Sequence, residues 1–291
     1  MNHPTTAGLY MFMLCYKNGS LAREHIRDAL NNSSSSDTSW ELFNKTALNA
    51  PPLNQQNPDS DPMQLGLYFP RPEIVPNVPA GEWHYEYNPK TNELRQSDSK
   101  AAKKDKETAK HHARSIVESQ FLSLRLRSHN LIHPPNKPDS KSNDNNDTSA
   151  LPPQPRRVYL VGGASVNPAI ASLAGQVLGG SEGIYRLDIG GNACALGAAY
   201  RAVWAVERSK GESFEELVGK RWSEEEFVKK VDQGYRKGVF ERYGEAVRGF
   251  AMMEEEVVKA CGRGGGRGSG KEVDGEEVAS AAEKAGNERE G

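Results

Sequence analysis

The chain has 291 residues, 37 Lys and Arg against 39 Asp and Glu for a formal net charge of -2, and 36% hydrophobic residues. That balance removes any general argument for polyanion binding, and no apolar run is long enough to span a bilayer. With no charged segment leading into an apolar signal core, the chain is expected in the cytoplasm, away from membranes.

In chain order, the apolar stretch at 8–16 predicts a strand and residues 20–30 a helix. Asn31–Ser39 reads as a turn, Trp40 opens a helical patch near 40–48, and Pro51–Pro62 reads as a surface excursion within an insertion near 49–63 that adds nothing to the core. Extended structure is expected around 65–88, then a helix over about 100–128. The entrance to that helix carries Lys100, Lys103, Lys104, Lys106, Lys110, His111, His112 and Arg114. Asp105 and Glu107 interrupt the run and no aromatic residue interleaves, so it reads as a solvated helix face and no nucleic acid is expected as partner. Residues 132–156, rich in Pro, Asn, Asp and Ser, read as a flexible insertion. Strand, helix, strand, helix follow across 157–208, and Ser223 to Glu226 form a capping box that opens a helical region reaching about 259. The alternation argues an α/β layered domain over 1–260, with 261–291 a disordered low-complexity tail.

Cys15, Cys194 and Cys261 are too widely spaced for a paired metal site or a disulfide framework, and Cys194 is expected to pack within an alanine-rich helix. The run from Gly265 to Lys271 nearly fits a phosphate-binding Walker loop. Glu272 stands where the magnesium-binding hydroxyl belongs and no strand precedes it, so it is read as low complexity.

The most informative stretch is Val158–Asn167. Val158, Leu160 and Val161 suit a strand covered on both faces, and Gly162 and Gly163 let the backbone approach a ligand without a Cβ. Asn167 and Pro168 then supply an N-cap and an N1 proline. Such a helix start favours an anion or polar ligand through its free N–H groups and dipole. The other reading is an ordinary strand-turn-helix joint. A second block repeats the plan: Ile184–Leu187 leads through Asp188, Gly190 and Gly191 to Asn192 as a helix cap. Leu196, Ala199, Tyr200, Val203 and Trp204 form an apolar stripe expected in the core.

Together these blocks resemble the C-terminal half of the FGGY carbohydrate kinases. Gly8–Glu24, the Trp40 segment, Gly66–Pro76 and Arg114–Leu122 are similar to the fungal-type D-xylulose kinases within that family, so the resemblance runs over roughly residues 3–258. It implies a ribonuclease-H-like domain of the actin-like ATPase superfamily, incomplete at its N-terminal edge. It also implies phosphorylation of a ketopentose, D-xylulose, with ATP and Mg as cofactors. The Gly-Gly-Ala-Ser-x-Asn loop of the family contacts the adenosine of ATP, which implies Gly162, Gly163, Ala164 and Asn167 as binding residues. Trp40 is similar to an aromatic residue lining the adenine side; an indole can cover a flat base, and it can equally anchor a core.

The family's sugar-binding domain, its catalytic aspartate and its phosphate loops have no counterpart in these residues, so no catalytic residue is expected in this chain and none of its residues is a clear Mg ligand. The expectation is an ATP-binding half that is inactive alone and needs a missing N-terminal half or a partner chain over an exposed sheet edge. The alternative is a non-catalytic nucleotide-binding or interaction protein descended from a sugar kinase.

Overall fold

A computed structural model describes residues 1–3, 5–6, 8–31, 37–97, 106–132, 151–189 and 192–264. Met1–Val258 packs as one compact unit. Of Lys259–Gly291, only the end of the last helix, to Gly264, is described. The near-Walker run from Gly265 lies outside the described residues.

Helices α1 (Gly19–Leu30) and α2 (Glu41–Asn49) form where the apolar spacing predicts them, burying Ala22, Ile26 and Leu30 on one and Phe43 and Ala47 on the other. An antiparallel sheet follows, ordered β1 (Met63–Phe69), β4 (Gly81–Asn88) and β5 (Glu93–Gln96), with a two-stranded ribbon of β2 (Glu73–Ile74) and β3 (Asn77–Val78) between β1 and β4 in the chain. Its register places Leu65 opposite Tyr85 and Met63 opposite Tyr87, so apolar side chains pair across the strands. Helix α3 (Lys106–Ile132) crosses the centre and buries Ala113, Ile116, Val117 and Leu122.

The second sheet is mixed: β6 (Arg157–Leu160) runs parallel to β7 (Gly183–Leu187), connected through α4 (Pro168–Leu178), and β7 pairs antiparallel with β8 (Val228–Asp232). Helices α5 (Ala193–Glu207), α6 (Phe214–Gly219) and α7 (Glu224–Phe227) lie between β7 and β8, and α8 (Val239–Gly264) closes the described chain. The fold is therefore mixed α/β. Helix α8 meets β4 at Gly249, where a Cβ would sit 2.3 Å from the Tyr87 ring, so only glycine permits that approach. Tyr243, Phe250, Met253 and Val257 supply the buried stripe of α8.

Six expectations are corrected. Residues 8–16 form no strand; Asn2 and Tyr10 make one isolated bridge, and the segment meets no ladder partner among the described residues. The Pro51–Pro62 excursion does reach the core, because Leu53 is fully buried and donates its backbone N–H to Glu118. The Ser223 side chain accepts from the Glu226 amide, but the helix it starts has four residues and gives way to β8; the complete capping box stands at Ser213 and Glu216. The stripe on α5 is half-buried at Leu196, Tyr200, Val203 and Trp204 and exposed at Ala199, and Cys194 is exposed. Arg114 is buried, 2% exposed, and belongs to the core instead of a basic surface.

His112 lies in that core region too, its Nδ1 2.9 Å from the Tyr68 hydroxyl and its ring stacked on His84 at 4.6 Å. Burial first, then the charge of His84, lowers its pKa to about 4; Glu82 opposes the shift and His111 adds to it. The folded state thus holds His112 neutral while the unfolded chain protonates near 6.5. Stability from this group is complete above that unfolded value and is lost as pH falls toward 4. We expect acidification across that window to remove roughly 2–3 kcal/mol, and His112→Phe to flatten the dependence. Urea denaturation at stepped pH measures both.

Candidate functional site

At the end of β6 the chain turns sharply. Gly162 has φ 87° and ψ -172°, a conformation that L side chains rarely adopt, and Gly163–Val166 then forms a single 3-10 turn. Gly162, Gly163 and Ala164 are exposed, and a Cβ built on Gly163 meets nothing within 4 Å. No packing constraint from the described residues therefore demands glycine at 163. Ser165 is buried and fixes the turn, donating its hydroxyl to the Gly162 carbonyl at 2.6 Å.

Asn167 caps α4. Its Oδ1 accepts from the amides of Ala169 at 2.9 Å and Ile170 at 3.3 Å. Pro168 has no N–H, so the N-terminus of α4 has few donors left for an anion, contrary to the expectation of a helix start aimed at a ligand. The amides opening the 3-10 turn are the ones that lack an intrahelical acceptor. The amides without an intrahelical acceptor therefore belong to the glycine turn, which Asn167 closes by donating its backbone N–H to the Ala164 carbonyl.

The other end of the Asn167 amide reaches across the fold. Its Nδ2 donates to Asn44 Oδ1 on α2 at 2.8 Å. Asn44 in turn donates its backbone N–H to the Trp40 carbonyl, so Trp40, one helical turn earlier, is tied to the glycine turn through a single amide pair. The Trp40 indole is half-buried, with the Arg27 guanidinium 4.6 Å over one face and the Phe43 ring edge-on at 5.3 Å. Four of the five residues expected at the site thus lie in the β6–α4 turn and the cap of α4, and Trp40 stands apart at the start of α2, linked to them through Asn44. Asn44 was missed, because one Asn in a helix carries no sequence signal of what it meets.

Asn167→Ala removes a cap and the cross-link to α2 together. It is expected to cost about 1–2 kcal/mol. Asn44→Ala should cost less, and a double-mutant cycle read by thermal unfolding should return a coupling of about 0.5–1.5 kcal/mol.

Two other expectations change here. Asn192 occupies the cap position of α5 but makes no side-chain hydrogen bond to it. Strand β6 is half-covered at Val158 and Leu160 and exposed at Tyr159, instead of being buried on both faces. Past β7, Arg186 pairs with Asp188 at 3.2 Å. Among the described residues, no group of three or more His, Cys, Asp or Glu could hold a metal ion, and no helix is long and apolar enough to cross a membrane.

Residues 1–206 match the FGGY family of carbohydrate kinases, C-terminal domain. The chain belongs to this family. Within it, the chain is 57% identical over 260 residues to the probable D-xylulose kinase A of Neosartorya fischeri, covering 89% of this chain and 42% of the relative. It is 57% identical over 264 residues to D-xylulose kinase A of Aspergillus niger, covering 90% and 43%. The probable D-xylulose kinase A of Aspergillus terreus is 58% identical over 259 residues, covering 89% and 42%. The FGGY chain thus spans well under half the length of these curated relatives. Its glycine turn and α4 fall within the matched stretch, and α8 lies beyond it.

Proposed function

We propose that this chain is the ATP-binding part of a D-xylulose kinase, with a ribonuclease-H-like core over residues 1–260, working in the cytoplasm. The observation that carries the reading is the exposed turn at Gly162, Gly163 and Ala164, open above Gly163 and clamped beneath by the Asn167–Asn44 pair. A flat nucleoside needs backbone donors that it can approach closely and an apolar surface alongside. Gly163 and Ala164 would meet the nucleoside, Asn167 and Asn44 would hold the turn, and Trp40 would border the base with whatever part of its indole Arg27 and Phe43 leave open.

ATP brings the phosphoryl group to be transferred, and this chain's residues bind and orient its nucleoside end. Magnesium would travel with the phosphates, since the described residues offer no carboxylate cluster for it and no step is assigned to a protein ligand. Phosphoryl transfer depends on positioning donor and acceptor and on stabilising charge between them. The sugar and its general base are assigned in this reading to the remaining length of polypeptide that the relatives have outside the match. The test is coupled ATP turnover with D-xylulose. The chain alone should give none, and the chain joined to the rest of a relative such as the Aspergillus niger enzyme should give turnover. Turnover at ordinary kinase rates by the isolated chain would overturn the reading, and binding of ATP without turnover in the joined form would favour a non-catalytic nucleotide-binding protein.

A further inference from the structure

We infer that Asn44 is a specificity-determining residue, its side-chain amide turned to pair with the 6-amino group and an adjacent ring nitrogen of adenine. It would then separate ATP from a nucleotide carrying a 6-oxopurine. The inference deepens the reading above and rests on it, since it requires a nucleoside at the glycine turn.

The orientation follows from a chain of hydrogen bonds in which each link fixes the next. The Asn167 side-chain atom that meets the Ala169 and Ile170 amides must be an acceptor, so it is Oδ1. The other end of that amide is then the donor Nδ2, and the Asn44 atom it meets at 2.8 Å must be the oxygen. Asn44 therefore keeps its own Nδ2 free of this contact. Among the described residues that NH2 group meets no acceptor, and it is not one of the buried atoms left without a partner, so solvent reaches it. Holding the turn needs only the Asn44 oxygen. The amide nitrogen is the part that the clamp leaves unused.

Asn44 is half-buried and stands on α2 one turn after Trp40, so this directed donor lies between the glycine turn and the indole. Its Oδ1 still has a second lone pair. The amide thus offers a donor and an acceptor side by side in one plane. Adenine is the complement, with its 6-amino donor next to a ring-nitrogen acceptor. A 6-oxopurine carries a carbonyl where adenine has the amino group, so its O6 would face Oδ1, acceptor against acceptor. Edge contacts carry more of the recognition here because stacking is restricted. The Arg27 side chain is 11% exposed, is held by Asp28 at 2.7 Å and covers one face of Trp40, while Phe43 meets the indole edge-on.

Asn44→Asp separates the two roles, because an Asp oxygen still accepts from Asn167 while the NH2 donor is gone. Calorimetric titration with ATP and with inosine triphosphate, each with Mg, reads the ratio of the two affinities. The ratio is the readout because a new carboxylate near a triphosphate weakens both. The wild-type chain should prefer ATP by roughly tenfold or more, and Asn44→Asp should bring the two nucleotides within about threefold. The unliganded melting midpoint of the variant should stay close to that of the wild type. In the unmodified chain, the Asn44 Nδ2 protons should shift much further in nitrogen-proton correlation spectra with saturating ATP than with saturating inosine triphosphate, a readout that holds even where the variant does not fold. Equal binding of the two nucleotides by the wild type, undiminished discrimination in Asn44→Asp, or Nδ2 protons that respond alike to both nucleotides overturns the assignment and leaves the nucleotide-binding reading intact. Absence of ATP binding, both in the chain alone and in the chain joined to the rest of the Aspergillus niger enzyme, sinks that reading and the assignment with it.

Discussion

Arg114→Met is expected to lower the unfolding free energy by about 3–5 kcal/mol, read from urea denaturation, because it leaves a buried carboxylate without its partner. Arg114 and Glu118 are 3% and 2% exposed at their side chains and pair at 2.7 Å. The same guanidinium donates to the Ala47 and Ala50 carbonyls at the end of α2, to Gln176 on α4 and to the Tyr243 hydroxyl on α8. Burial, and then the charge of Glu118, raises the pKa of Tyr243 well above its ordinary value, so it remains a neutral donor to Glu118. One arginine therefore joins the helices that present Trp40, Asn44 and Asn167. The double variant Arg114→Met with Glu118→Met removes both charges and should recover much of the loss, since the desolvation cost disappears along with the attraction.

Gly163→Val is expected to abolish ATP-dependent stabilisation while leaving the unliganded melting midpoint nearly unchanged. Among the described residues beyond its chain neighbours, no atom lies within 4 Å of a Cβ placed there, so the substitution meets no packed neighbour. A branched side chain on the approach to the turn amides would keep a nucleoside away, and a hundredfold weaker affinity corresponds to about 2.7 kcal/mol. Gly162→Val is the informative contrast, because φ 87° strains any L side chain and that variant should lose stability before any ligand is added. Thermal shift with and without millimolar ATP separates the two effects.

The sequence carried the elements whose signals are local. The apolar spacing of α1, the Asn167-Pro168 start of α4 and the strand-helix-strand order around β6 and β7 were all legible, because each depends on neighbours in the chain. Three of the failures share a physical origin, in long-range partners. Residues 8–16 have strand composition, but a strand needs a ladder, and none of the described residues provides one. The Val228-Lys-Lys-Val core of β8 does not alternate, and its pairing with β7 is set by tertiary contact after a run of glutamates that reads as helix. Leu53 is a lone apolar residue in a polar loop at φ 55°, and nothing local indicates that it plugs the core against α3. At the site, the glycines and Asn167 could be found from their pattern, but the role of Asn167 as a clamp could not. Its partner Asn44 lies 123 residues away.

The most direct test of the account is an ATP titration of the isotopically labelled chain followed by amide NMR. The account predicts saturable shifts centred on Gly162, Gly163 and Ala164, with smaller ones at Asn44 and the Trp40 indole, all lost in Gly163→Val. Saturable shifts located elsewhere, or a β6–α4 turn that does not move at any ATP concentration, would contradict it.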